Sequence, residues 1–561
     1  MTSRPSPISL PHKDDTKSPH HQDAPSPSPQ SNPLRTARSL VLLQLLSRLL
    51  TFSLNQALLR LSSPAVFGTA AIQFDLVCSS ILFLSREGIR NALLRTKTPS
   101  PSPSSTSSST SSDQDIHERQ VRSLSTIPLH LGLIISSVIG SIYIYSSDDI
   151  TTSQSHFYPS LGMYILGSLM ELSIEPIYIS IHRLTPPKLG VRMRAEGGMA
   201  IIRSIVTVGS LLGLGEGNAL LAFAIGQVAG AGWLFLVYLR EVRWDVRSLF
   251  WKGENRFNQQ TVSLALANTG QSFIKHLLTE ADRIAVARIC PLDGQGGYAV
   301  AMNYGSLIAR IIFQPLEESL LLHYSSSPLS SNHTISLYTL TIRLSLYLTT
   351  IILSFVQPLY PSLAMILLPR QYQKTNALSI LRLYLINYIP LMSLNGITET
   401  FVTSSADPRG IKRQSKWMVG SSVVFALTLL GLTRIPEYKS PSPALFDWPT
   451  KEEALILSSC SAMIVRIIFS LSHAKSTFGN NLRWRDVSPD YRVVGWNILV
   501  WIGLSLLAST ERWRVSWMGW GELIGFGGGL GLVTLGLIFW VEKDRFKDLR
   551  GTGISKDKKV D

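Results

Sequence analysis

Apolar runs of about 20 residues, the length that crosses a bilayer as a helix, recur along this chain with polar breaks between them. They fall at 38–59, 66–86, 127–146, 158–182, 198–214, 219–239, 261–288, 297–323, 335–357, 377–402, 416–433, 452–472, 493–509 and 518–541. These about fourteen spans, numbered in chain order, predict an all-α polytopic membrane protein. A short apolar piece at 359–368 extends span nine.

Within several spans the polar residues are spaced by three and four, which places them on one helix face. Span seven carries Asn268, Gln271, Lys275, Thr279 and Asp282, and span eight Asn303, Ser306, Arg310, Gln314 and Glu317. Span one has Gln44, Arg48, Thr51 and Asn55; span four has Tyr164, Ser168, Glu171, Glu175, Tyr178 and His182. Span ten adds Tyr384, Tyr388, Asn395 and Glu399 around an expected kink at Pro390. A charge at mid-bilayer costs about 2.5–3.5 kcal/mol on insertion scales, yet "FIKHLLTEADRIA" (273–285) holds Lys275, Glu280, Asp282 and Arg283. One polar stripe can be glue between two helices. Five long ones imply a hydrated interior lined from both halves of the chain. Arg48, Lys275 and Arg310 are its candidate binding cations and point to an anionic cargo. Gln44, Asn55, Asn268, Gln271, Asn303 and Asn395 are candidate polar lining. Arg86, Glu171, Glu175, Glu280, Asp282, Glu317 and Glu399 are structural or coupling charges.

Only 16% of residues are charged, against about a quarter in soluble proteins. The polar exceptions are two Pro/Ser-rich stretches, a leader at 1–37 and an insert at 96–122, whose composition predicts disorder. The net charge of +15 is explained by loops rather than by nucleic acid. Arg90, Arg95 and Lys97, then Arg183–Arg194, Arg240–Arg256, Arg409–Lys416, Lys475–Arg485 and the tail alternate with loops poor in Lys and Arg, such as "SSDDITTSQS". Basic loops stay cytoplasmic, so both termini are expected there. Two loops blur the pattern: the one at Asn332 has no basic residue, and 509–517 carries Arg512 and Arg514. Cys78, Cys290 and Cys460 lie in or beside apolar runs and imply no disulfide framework. A P-loop, an HExxH pair and a CxxC pair are all missing, so neither catalysis nor a cofactor or metal is expected.

A weak internal repeat relates Gln44, Arg48 and Asn55 to Gln271, Lys275 and Asp282, followed by Pro64/Gly68 and Pro291/Gly297. Six spans separate the copies, which therefore run parallel. Four longer blocks are more specific: "FLSREGIRNALLR" (83–95), "FIKHLLTEADRIAVA" (273–287), "QGGYAVAMNYGSLIARIIFQPLEES" (295–319) and "YLINYIPLMSLNGITETFV" (384–402). Together they resemble the eukaryotic oligosaccharide-translocation family, itself similar to the multidrug/oligosaccharidyl-lipid/polysaccharide flippase superfamily. The resemblance implies two parallel six-helix lobes around a central hydrated cavity plus two C-terminal helices. It also implies an endoplasmic-reticulum membrane location and a dolichol-pyrophosphate-linked oligosaccharide cargo flipped to support N-glycosylation. On this frame 38–239 is the first lobe, 240–260 a basic linker, 261–472 the second lobe, 473–541 two extra helices and 542–561 a basic tail. The tail ends "KKVD", resembling a dilysine retrieval signal. Two other functions fit the same residues. One is an ion-coupled small-molecule antiporter using Glu171 and Glu175; the other is a non-transporting accessory protein of the lipid-linked oligosaccharide pathway.

Overall fold

The computed structural model describes residues 50, 52–95, 120–184, 188–245, 259–326, 331–405, 408–434, 449–509 and 517–554. Gln271, Lys275 and Arg310 are described as backbone only, and the leader, most of the 96–122 insert and the KKVD end lie outside the described residues. The chain divides into Met1–Leu49 and Leu50–Asp561, and the described helices belong to the second unit.

All regular structure among the described residues is helical. Eleven helices there are long and apolar enough to cross a membrane, corresponding to spans two to six and nine to fourteen. The expected count of fourteen is not reached by that measure, for a physical reason. Span one lies largely outside the described residues; spans seven and eight are helical, but their polar stripes lower their mean hydropathy. The 359–368 piece does continue span nine, which runs to Leu367.

Prolines shape the spans. Of four described π turns, Thr69–Phe74 has no proline just after it, and the other three, Ala309–Phe313, Ile352–Val356 and Tyr384–Tyr388, each lie just before one: Pro315, Pro358 and Pro390. A helical proline lacks an N–H and its ring collides with the carbonyl four residues back. That carbonyl belongs to Ile311, Ser354 or Ile386, inside the π turn in every case, where the wider turn makes room. Pro176 acts more sharply, splitting span four into Phe157–Ser173 and Glu175–Arg183. Span seven also departs from a single helix, breaking at Glu280 between Gln259–Thr279 and Ala281–Ile289. Two further expectations need correcting. Arg90 is no loop charge but sits within the helix Asp75–Arg95. The insert read as disordered to residue 122 is already helical at Gln120, where Val121 and Leu124 bury against the ends of spans four and six.

The packing repeats along the chain. Span six packs on spans four and five, and span two on span four; six spans later, twelve packs on ten and eleven, and eight on ten. The halves meet along a seam at the end away from the basic loops. Gly68 and Gly296 touch there so closely that a Cβ on Gly68 would lie 2.8 Å from the Gly296 nitrogen. Around that crossing Gln56 Nε2 donates to Tyr304 at 2.6 Å, Asn55 to Asn303 at 3.0 Å, and Gln73 to Gln295 at 2.8 Å. Span seven leaves its own half to lie along span two, with Gly88 against Thr269 and Ser80 2.9 Å from His276. Spans thirteen and fourteen dock on span nine. Their anchor is Glu542, almost fully buried, which accepts from Arg343 at 2.8 Å and Tyr347 at 2.7 Å. The helix Trp517–Ile554 thus runs on past the expected start of the tail.

Candidate functional site

A cavity of about 670 Å³ lies between the halves at the basic-loop end of the helices. Its wall is contributed by spans two, seven, ten, eleven and twelve, and includes Glu87, Asn91, Asn268, Asp282, Tyr388 and Arg466. A second cavity of about 250 Å³ sits nearer the seam, with Asn55, Tyr164, Arg203, Arg283 and Asn303 on its wall.

The break in span seven stands between the two. Asn268, Ser272, Thr279 and Asp282 line the larger cavity, while Arg283 lines the smaller. Four residues on one face followed by a break turn consecutive side chains toward different spaces. Asp282 accepts the Arg283 backbone N–H at 2.9 Å, and Arg283 reaches Glu280 at 3.3 Å and Asp75 of span two at 3.5 Å. Asp75 also faces Arg203 of span five at 3.6 Å. Two arginines and two carboxylates thus form a balanced chain across three helices. Such a chain can be held at bilayer depth because each charge finds an opposite one.

The expected site residues divide into groups. Arg48 and Gln44 lie outside the described residues, and the side chains of Lys275, Gln271 and Arg310 do too. Lys275 keeps the helical register of the lining residues Ser272 and Thr279, and Arg310 falls on the π turn of span eight. Asn55 and Asn303 come together at the smaller cavity. Asn268 lines the larger one, and its Nδ2 makes no hydrogen bond among the described residues. Asn395 lines neither cavity, donating instead to Glu399 at 3.2 Å.

The remaining carboxylates are mostly structural. Glu175, completely buried, takes a two-pronged grip from Arg90 at 2.5 and 2.6 Å, and the Arg90 guanidinium lies over the Tyr178 ring at 3.9 Å. Glu171 pairs with Arg86 at 3.6 Å. Together they bolt span two to span four. In the second half Glu399 pairs with Arg466 of span twelve, and Glu317 presses against Gly396 beside Glu399.

Arg283 stood out in the sequence as a charge inside an apolar span, whereas Asp75, Arg203 and Arg466 belong to no polar run at helical spacing. The signal that finds them is simpler: each is an ionisable residue inside an apolar span, and such residues sit there only for a partner or a pathway.

Comparison with known proteins places this geometry. The sequence model of the family described as Rft protein matches residues 32–550. The Schizosaccharomyces pombe protein named Man(5)GlcNAc(2)-PP-dolichol translocation protein RFT1 is 28% identical, over 77% of this chain and 81% of its own. Proteins of the same name from Candida glabrata and Saccharomyces cerevisiae are 27% and 28% identical, covering 90% and 77% of this chain and 93% and 81% of theirs. Among solved structures, the lipid II flippase MurJ in an inward closed conformation superposes with a TM-score of 0.59 at 13% identity. That match spans 89% of this chain and 98% of MurJ, and shows that the fold is shared.

Proposed function

Because the chain belongs to the Rft protein family, we propose that it translocates a dolichol-pyrophosphate-linked oligosaccharide across the endoplasmic-reticulum membrane, supplying N-glycosylation. The observation that carries this reading is a cavity with polar and charged side chains in its wall between two halves of a multi-pass membrane protein, closed at one end by a seam. A lipid-linked glycan needs that arrangement: water-like surroundings for sugar and phosphate, and a way for the prenyl tail to stay in lipid between the helices. Rocking of the halves, with the seam parting in one of the two states, would present the site to each side in turn. Of the three cations the sequence offers, Lys275 and Arg310 would hold the pyrophosphate. The basic loops would lie in the cytoplasm with both termini, so the larger cavity would load from the cytoplasmic side.

The test is purified protein in liposomes that carry a short-chain prenyl-diphosphate oligosaccharide. Protein-dependent transfer of the glycan between leaflets, followed by capture with a membrane-impermeant lectin, is the expected result. Transfer no faster than in protein-free liposomes overturns the reading.

A further inference from the structure

We infer that the larger cavity is a carbohydrate subsite that grips the neutral hydroxyls of a glycan through Glu87, Asp282, Asn91 and Asn268, and does so without help from the diphosphate. The inference rests on the glycan-bearing cargo proposed above and assigns one part of that cargo to one part of the wall.

The charges on the described side chains of the wall suit a sugar, while Lys275, on the same helix face, is where the proposed diphosphate site would adjoin them. Glu87 and Asp282 both line the cavity, and neither makes an ion pair among the described residues. Arg466 is the described cation there, and Glu399 already engages it. Two carboxylates facing a common space repel a phosphate group. They suit hydroxyls well, because an ionised carboxylate accepts only and has several lone pairs to offer. Glu87 uses one oxygen to accept from Asn91 Nδ2 at 3.0 Å, and Asp282 uses one on the Arg283 backbone. Both keep capacity for further donors.

Asn268 supplies the complementary signal. Its Nδ2 is buried at the cavity wall with no hydrogen bond among the described residues, a costly state for a donor unless an acceptor joins it. A sugar hydroxyl accepts and donates at once, and so satisfies Asn268 and a carboxylate together. Tyr388 adds a flat surface on the same wall, fixed by stacking on Tyr384 at 4.4 Å. The C–H face of a pyranose ring packs on such a surface. A volume of about 670 Å³ falls within the roughly 300–1,000 Å³ typical of ligand sites.

The experiment uses the full chain in lipid nanodiscs and three probes: a free mannose-rich oligosaccharide, the same glycan on a short prenyl diphosphate, and inorganic pyrophosphate. Binding is read by saturation-transfer NMR for the free glycan and by titration calorimetry for all three. The free glycan should bind saturably, excess pyrophosphate should not displace it, and Glu87→Gln, Asp282→Asn and Asn268→Leu should each weaken it about tenfold or more. Glu87→Asp, which keeps the acceptor, should retain most of the binding, and unfolding curves identify any variant that has merely lost its fold. The lipid-linked probe should lose affinity in the same variants, and pyrophosphate should compete with it alone. Absence of saturable free-glycan binding, displacement by pyrophosphate, or indifference to all three substitutions in folded protein overturns the inference. Glycan binding without liposome transfer would leave this subsite standing and remove the translocation reading; transfer without free-glycan binding would do the reverse.

Discussion

Single charges in this protein do two different jobs, and substitution separates them. Arg90 and Glu175 are a closed pair: the carboxylate is buried, both its oxygens are taken, and an aromatic ring covers the guanidinium. Removing one partner strands the other, at a cost of about 3–5 kcal/mol. Arg90→Met should therefore lower the unfolding temperature and cellular abundance, and Arg90→Met with Glu175→Leu should recover much of both. Lys275 belongs to the cavity-facing register instead. If it holds pyrophosphate as a point charge, Lys275→Arg keeps function while Lys275→Met stays folded and loses about 1.5–3 kcal/mol of binding, roughly ten- to hundredfold. Normal N-glycosylation in cells relying on a well-expressed Lys275→Met protein would remove it from the site. Sequence reading saw the polar faces of spans seven and eight because helical spacing is a local property. It could not see that Arg90 turns inward, since a charge near a helix end looks the same whether it meets a loop or a buried carboxylate on another span.

At the level of elements, the spans themselves were legible and their joints only partly so. Pro390 marked the π turn before it because proline acts through its own backbone; the break at Glu280 has no proline and sits beside the pairing of Arg283 with Asp75 of span two, which sequence spacing does not encode. The contact of spans two and seven was equally hidden. Gly88 makes it possible: a Cβ there would fall 2.6 Å from the Thr269 Cα, so the two backbones would have to part. Gly88→Ala should lower the unfolding temperature by several degrees, in line with an overpacking cost of about 1–3 kcal/mol. Gly209→Ala, also mid-helix but facing open space, should not lower it, since alanine favours a helix over glycine. Differential scanning fluorimetry of the two variants settles the comparison. The start of span nine tests orientation. Asn332, in the sequon "NHT", begins the helix Asn332–Ile351, and the Thr334 side chain is buried beside Ser331. With the basic loops cytoplasmic, this site faces the cytoplasm and should carry no glycan. An endoglycosidase-sensitive mass shift that disappears in Asn332→Gln would reverse the assigned orientation.

For the whole molecule, alternating access requires the seam to part, and its polar chain sets how readily. Tyr143 donates to Gln73 at 2.5 Å, Gln73 to Gln295 at 2.8 Å, and Gln295 to the Cys290 carbonyl at 2.9 Å. Only the middle bond crosses between the halves. Beside it Cys290 is buried between spans seven and eight, and burial, reinforced by nearby Glu452, pushes its thiol pKa up. The thiolate is the reactive form, so Cys290 should alkylate slowly while the seam is shut and faster when water enters. Gln73→Leu removes the crossing bond and leaves Gln295 and Tyr143 short of a partner in the closed state, a loss of about 1–3 kcal/mol. If closed and parted states exchange faster than the reagent reacts, that loss appears as a roughly ten- to hundredfold rise in Cys290 labelling. Cys78 and Cys460, buried elsewhere, serve as internal references, since general loosening would speed all three. Site-resolved mass spectrometry of native protein in nanodiscs gives the three rates. A selective rise at Cys290 identifies the seam as the part that opens; a uniform rise means the variant is merely unstable, and no rise means the halves do not part along this line.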